Sequence, residues 1–364
     1  MDISKFDKNM AVKKADENGL VWYHPYERPF KLIGFNWFDR DNVYRRFPVK
    51  PPYPLPESVD VLAWCTAGGQ VKFRTDSGKV SVKVTLRDGG GMDHMPQTGI
   101  SGFDLYVGEP GEETFFAVTR FAVGVTEFTS ELFSSDIRKR RTFTINFPLY
   151  KGVNTIEIGV ESDAKVEAPP AWSSNKPIVV YGTSITQGGC ASRPGSCYTN
   201  ILSRRLNRPF INLGFSGSGR GEPEVARNIA SISSPAMLVL DYEANCGQCE
   251  SLSKTLPRFI GLLRDAHKKT PILVVSKIRY GQESLKGDAS KSRDREQCKR
   301  MQYGLVKKLR GAGDRNIYFL DGSTLLGKDY WECTVDNVHP TDLGFFRMAD
   351  GIGRVIKRIL SKGD

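Results

Sequence analysis

The first place to look for chemistry in this chain is where a candidate nucleophile follows an apolar run. Gly182-Thr183-Ser184-Ile185-Thr186 comes directly after the run Ile178 to Tyr181. A serine at such a strand-to-helix turn lies beside backbone N–H groups that can hold an oxyanion. The same position also suits a turn serine that caps a helix. Thr186 stands where the G-x-S-x-G elbow of another hydrolase class has its second glycine. A serine hydroxyl needs a base within hydrogen-bond reach to become a useful nucleophile near neutral pH. Four histidines are candidates, at 24, 94, 267 and 339. His339 stands in Asp336-Asn337-Val338-His339-Pro340, a loop just before the final amphipathic segment. Pro340 biases His339 toward extended backbone, and Thr341 or Asp342 can cap the helix that follows. Asp336 is near enough in sequence to hold the second imidazole nitrogen and stabilise an imidazolium. An Asp-x-x-His pair can also simply tie a loop together.

The elements that must position these residues have two rhythms. Up to about residue 170 the chain reads as short alternating strands with no convincing helical period. Lys79 to Leu86, Phe103 to Val107, Thr142 to Phe147 and Thr155 to Val160 are examples, separated by turn formers such as Asp76-Ser77-Gly78. That pattern predicts a β-sandwich or jelly roll. Val166 to Asn175, with Pro169, Pro170 and two serines, reads as a linker. Beyond it, Ile178 to Tyr181, Pro209 to Leu213, Met237 to Leu240, Ile272 to Val275 and Ile317 to Leu320 read as five buried strands. Helical segments near 197–206, 222–232, 250–268 and 292–311 fall between them, and Phe345, Ala349, Ile352, Ile356 and Ile359 form one apolar stripe at the end. The expected fold is therefore a flavodoxin-like, doubly wound five-stranded parallel α/β sheet over 171–364, preceded by an all-β sandwich over 1–170. Ligands of such sheets bind outside the carboxyl ends of the strands, where Ser184 and His339 fall.

Composition excludes some functions. The 364 residues are 39% hydrophobic and 26% charged, as in a globular protein, and no run of apolar residues is long enough to span a bilayer. The start of the chain, through Gly19, lacks the apolar core of a secretory leader, which leaves the compartment open if a leader has been removed. The formal charge of +11 comes from dispersed lysines and arginines with no nucleic-acid-binding motif, so no nucleic-acid partner is expected. Seven cysteines leave at least one thiol unpaired, although a disulfide among Cys190, Cys197, Cys246 and Cys249 is open to an exported protein. Cys246 and Cys249 form a lone C-x-x-C with no histidine spaced to complete a zinc site, so neither a metal nor a cofactor is expected. Gly89-Gly90-Gly91 and the later Gly214, Gly217 and Gly219 match no nucleotide-binding fingerprint.

Read in order, four blocks resemble the SGNH, or GDSL-like, hydrolases over roughly residues 176–361. They are Gly182-Thr183-Ser184, Asn212-Leu213-Gly214-Phe215-Ser216-Gly217, Leu240-Asp241-Tyr242-Glu243-Ala244-Asn245 and Asp336 to His339. The resemblance implies Ser184 as nucleophile, His339 as base and Asp336 as its partner. It also implies an oxyanion hole made by Ser184 N–H, Gly217 N–H and the Asn245 amide. Thr183 replaces the family's usual aspartate, and Ala244 and Cys246 replace a glycine and an aspartate around Asn245. Upstream, Gly102-Phe103-Asp104-Leu105-Tyr106 resembles the G-x-D-L-Y motif of a β-rich region that precedes some bacterial esterases of this kind. The branch implies ester hydrolysis without metal or cofactor, with acetyl groups on a polysaccharide or oligosaccharide as the first substrate. An esterase for non-carbohydrate acyl esters and a non-catalytic carbohydrate-binding protein are the alternatives. It also implies a periplasmic or secreted location, and leaves the oligomeric state open. Short and proline-containing, the linker is expected to keep the sandwich packed near Ser184 as a wall, with Gly102 to Tyr106 in the contact.

Overall fold

The structure, a computed structural model, describes residues 13–285 and 290–362. Residues 1–12, on which much of the leader expectation rests, lie outside the described residues. The amino-terminal half contains β1 (Leu20–Tyr23), β2 (Lys31–Ile33), β3 (Gln70–Thr75), β4 (Lys79–Leu86) and β5 (Asp104–Val107). β6 (Thr114–Val118), β7 (Glu127–Ser134), β8 (Arg141–Asn146), β9 (Val153–Glu161) and β10 (Val166–Glu167) follow. They form two sheets, β1-β9-β4-β7 and β10-β3-β8-β5-β6, with β2 paired to β3. Alternation drives this assembly. In β4, Val80, Val82, Val84 and Leu86 point inward while Lys79 and Lys83 face solvent. Ile156, Ile158 and Val160 of β9 join them, and Val71, Phe73, Leu105, Phe143 and Ile145 of the second sheet close over the same core.

One expectation needs correction. Three short helices interrupt the strands: α1 (Phe38–Asp41), α2 (Glu57–Leu62) and α3 (Gln97–Ile100). Each is too short to show a helical period, and α2 and α3 start directly after Pro56 and Pro96. The segment 166–175 is tied to the sandwich at its start. Val166 and Glu167 pair with Thr75 and Arg74, and Trp172 beyond them is buried beneath the Lys72 ammonium, 4.0 Å from its ring. The strand adds backbone hydrogen bonds at the sheet edge, so the connection is held to the sandwich.

The second half holds β11 (Ile178–Gly182), β12 (Phe210–Gly214), β13 (Met237–Asp241), β14 (Ile272–Val275) and β15 (Ile317–Leu320). α4 (Ser184–Gln187), α5 (Tyr198–Leu206), α6 (Pro223–Ala230), α7 (Cys249–Ala266), α8 (Ser290–Gly311) and α9 (Asp342–Leu360) run between and after them. The strands make one parallel sheet in the order β12-β11-β13-β14-β15. α5 and α9 cover one face, and α6, α7 and α8 cover the other. Phe345, Ala349, Ile352, Ile356 and Ile359 of α9 are all buried, as their spacing predicts. Gly182 is level with Gly214 on one side and with Asp241 on the other. The loops after β11, β12 and β13 therefore emerge side by side at the point where the strand order reverses, and that crevice is where such sheets bind ligands.

Sandwich and α/β unit meet through the Gly102 to Tyr106 segment. Phe103 and Leu105 fill the sandwich core, whereas Asp104 and Tyr106 face the other unit. Asp104 is fully buried, and its Oδ2 accepts from Gly195 N at 2.7 Å and from the Arg193 guanidinium at 3.2 Å. Its Oδ1 accepts from Asn146 Nδ2 at 2.7 Å. The Tyr106 hydroxyl accepts from Arg193, and Arg204 lies 3.8 Å over its ring. A β-carbon at Gly195 would sit 2.3 Å from the Tyr106 ring, so only glycine allows this approach. Burial pushes the Asp104 carboxyl up against the downward pull of Arg193, Asn146 and the Gly195 N–H. Asp104→Ala leaves the Gly195 N–H and Asn146 Nδ2 without that acceptor and takes from Arg193 its buried carboxylate, and should cost about 3–5 kcal/mol of folding stability. Urea unfolding would check this, and a change under about 1 kcal/mol would show that water replaces the carboxylate.

Candidate active site

α4 begins where β11 ends. Thr183 is extended, with φ of −104°, and its Oγ1 accepts from Ile185 N at 3.3 Å. Thr183 thus takes the capping role open to a turn serine, and Ser184 becomes the first helical residue, its hydroxyl left for another partner. That hydroxyl is 2.8 Å from His339 Nε2. On the other side of the ring, His339 Nδ1 is 2.7 Å from Asp336 Oδ2. Asp336 Oδ1 accepts from His339 N at 2.7 Å and from Val338 N at 3.1 Å. Burial alone would raise the Asp336 carboxyl. The hydrogen bonds from His339 N, the His339 ring and Val338 N outweigh it and hold the carboxyl below its ordinary range. A bridge between Thr334 and Pro340 closes the loop, and Thr341, not Asp342, caps α9 by accepting from Gly344 N. Asp342 is engaged elsewhere, accepting from Ser192 N at 2.8 Å and from the Ser192 hydroxyl.

The three donors implied by the resemblance lie on the three adjacent loops. Ser184 N and Gly217 N make no hydrogen bond to another protein group among the described residues. Gly217 has φ of +67°, a left-handed conformation that favours glycine, and a β-carbon there would meet open space. Asn245 ends a single 3-10 turn and donates through Nδ2 to Phe215 O at 3.1 Å, so its second amide hydrogen is available to a ligand. Glu243 steadies that turn, with Oε2 accepting from Lys277 N at 2.7 Å and from Gln302 Nε2 at 2.6 Å.

Several supporting residues escaped the sequence reading. Gln187 Oε1 accepts from Ser216 N at 3.1 Å while its Nε2 donates to Leu149 O at 3.1 Å, joining the glycine loop to the end of the sandwich. Asp241 Oδ2 accepts from Tyr198 Oη at 2.9 Å and from Thr186 Oγ1 at 3.2 Å, which anchors α4 to β13. Burial raises that carboxyl to about 7. Arg46 is fully buried, donating to Cys65 O and Leu62 O at 2.7 Å each and to Gly214 O, with its guanidinium 4.6 Å over the Phe215 ring. Burial pushes it down to about 10, so it stays cationic at neutral pH, its charge solvated by carbonyl dipoles in place of water. His94 and Tyr150 flank the site from the sandwich side: the His94 and His339 ring centroids are 5.6 Å apart, and Gly189 packs between the Tyr150 hydroxyl and His339. The sandwich therefore does stand beside Ser184 and His339. Arg46 follows another arginine and Gln187 stands between Thr186 and Gly188, so neither carried a signal along the chain, and nothing pointed to their partners. All seven cysteines are free, so none of the candidate disulfides forms. No helix among the described residues is long and apolar enough to cross a membrane.

Comparison with known proteins bears on both halves of the chain. The model of the GDSL-like lipase/acylhydrolase family matches residues 175–357, and that of the G-x-D-L-Y amino-terminal region of SGNH-hydrolase-type esterases matches residues 20–166. A search of curated proteins finds no match. Among solved structures, a protein from Bacteroides ovatus described as a GDSL-like lipase is 29% identical, with a TM-score of 0.85 over 94% of this chain and 98% of its own. A salicylyl acyltransferase from a tetracycline biosynthetic pathway is 19% identical, with a TM-score of 0.76 over 94% and 98%. A family two carbohydrate esterase from Clostridium thermocellum, solved with cellohexaose, is 17% identical, with a TM-score of 0.58 over 88% and 98%. The last two likenesses establish the shared fold alone. With both halves of the chain matched in order, the protein is an ester hydrolase that belongs to the GDSL-like lipase/acylhydrolase family.

Proposed function

We propose that Ser184, His339 and Asp336 act as nucleophile, general base and orienting carboxylate in an enzyme that removes O-acetyl groups from a polysaccharide or oligosaccharide. The observation that carries the reading is the Ser184 Oγ to His339 Nε2 contact of 2.8 Å, backed by the 2.7 Å contact of His339 Nδ1 with Asp336. Ser184 attacks the ester carbonyl while His339 takes its proton. Ser184 N–H, Gly217 N–H and the Asn245 amide receive the oxyanion. His339 then protonates the departing sugar hydroxyl, and water activated by the same ring releases acetate. Side chains, the two backbone N–H groups and water carry every step. The sugar substrate is supported by the paired sandwich and α/β architecture shared with family two carbohydrate esterases, one of them solved with a cello-oligosaccharide bound. Such a substrate fits a periplasmic or secreted protein.

Acetate release from acetylated xylan and acetylated pectin, set beside hydrolysis of short and long p-nitrophenyl esters, tests the substrate class. Polysaccharide deacetylation should exceed turnover of long acyl esters, and the reverse order would sink the carbohydrate reading. Asn245→Ala should lower kcat by roughly 10²–10³-fold with a modest change in KM, because the amide helps most once charge has developed on the oxygen. A change confined to KM would mean that Asn245 grips only the ground state.

A further inference from the structure

Beside the proposed base lies a second arrangement of donor atoms. A tight bridge between Met92 and Met95 presents Asp93 and His94 at the tip of a sandwich loop, and Met95 anchors that tip in the same core as Cys190 and Ala191. Cys190 is buried and holds a left-handed φ of 72°. One donor atom each from His94, Cys190 and His339 lies within 4.8 Å of the other two. Both imidazoles have Nδ1 engaged by a carboxylate: His94 with Asp93 Oδ1 at 3.0 Å and His339 with Asp336 Oδ2 at 2.7 Å. A carboxylate on one ring nitrogen leaves the other to bind a metal, which is how metal-binding histidines are usually oriented.

We propose that His94, Cys190 and His339 form a binding site for a thiophilic divalent cation, zinc above all, whose occupancy inhibits the esterase. Tetrahedral zinc with two nitrogens and one sulfur brings its donors to roughly 3.3–3.6 Å from one another, so side-chain rotations of about 1 Å complete the site. On binding, the Cys190 S–H bond breaks, its proton leaves to solvent, and the thiolate pair forms the Zn–S bond. Water fills the fourth position. The Asp93 and Asp336 carboxylates against the two rings favour a dication at this point. His339 Nε2 cannot accept the Ser184 proton while its lone pair is on zinc, so metal and catalysis compete for one atom. The inhibitory half of this proposal rests on the reading of His339 as general base. Harder cations with a preference for oxygen, such as magnesium and calcium, should have no effect.

The test uses the full chain with cobalt(II) as a spectroscopic probe and zinc as inhibitor. Wild-type protein should give a near-ultraviolet thiolate-to-cobalt charge-transfer band. Its hydrolysis of a short p-nitrophenyl ester should fall with buffered free zinc and recover on chelation. In Cys190→Ser the band should vanish. In Cys190→Ser and His94→Ala the zinc concentration for half inhibition, each measured against that variant's own zinc-free rate, should rise at least about 10-fold. Absence of the band in wild type, or equal zinc sensitivity in all three proteins, would overturn the site and leave the His339 reading intact. Cobalt ligation with unchanged turnover would overturn the inhibition and also count against His339 as the base.

Discussion

Ser184→Ala should lower kcat by on the order of 10⁵–10⁶-fold while the protein stays folded. The hydroxyl is the atom that must form the acyl-enzyme bond, and its hydrogen bond is to His339 at 2.8 Å. The capping of α4 rests on Thr183, and α4 is anchored by Thr186 and Gln187, so alanine at 184 removes no structural contact of the helix. His339→Ala should be comparably severe, since the serine is then a neutral alcohol with no acceptor in reach. Initial rates on a short p-nitrophenyl ester, with thermal unfolding as the control, would check both. A Ser184→Ala protein with near-normal turnover and an unchanged melting temperature would place the nucleophile elsewhere.

Asp336→Asn should lower kcat by about 10³–10⁴-fold, less than loss of the base but more than loss of one oxyanion donor. In the wild type, Oδ1 accepts the two backbone N–H groups of Val338 and His339, which leaves Oδ2 to accept from His339 Nδ1. An asparagine keeps its oxygen on the backbone donors and turns its NH₂ toward Nδ1. That group can only donate, so the imidazole proton moves to Nε2, where it blocks acceptance of the Ser184 proton. The loop itself should survive, because the backbone contacts remain. Burial works to raise the wild-type carboxyl, but the hydrogen bonds it accepts hold it below the ordinary aspartate value of about 4. A carboxyl lowered on folding adds stability above that ordinary value and loses it as pH falls through the lowered one. The acid-side stability difference between wild type and Asp336→Asn should therefore shrink below pH of about 4. Steady-state kcat near pH 8 and nitrogen NMR of the imidazole would test the tautomer argument, and normal kcat with the proton still on Nδ1 would refute it.

The strands of the α/β half were legible because each is a short apolar run, buried on both faces in β11 to β14 and half-buried in β15 at the sheet edge, and the order of runs and amphipathic segments dictates a parallel sheet. Ser184, Asp336 and His339 could be picked out for a related reason: chemistry in such a sheet gathers at strand ends, and Asp336 and His339 share one loop. Local capping chemistry was only partly readable. Thr183 and Ser184 are adjacent hydroxyl residues, and backbone dihedrals decide which one caps α4. The short helices α1, α2 and α3 left no periodic trace at all.

Amino-acid sequence by itself determined the two rhythms of the chain, the strand ends that carry the reactive groups, and the residue types able to act there. Tertiary structure alone decided that Asp104 and Tyr106 of the sandwich seat against Gly195 and Arg193, and that Arg46 is buried among the carbonyls of Leu62, Cys65 and Gly214. It also decided that His94 stands beside His339. Periodicity, turn chemistry and capping act over a few residues and can be read along the chain. These pairings join residues far apart in sequence, so they depend on strand order, sheet register and the docking of two cores.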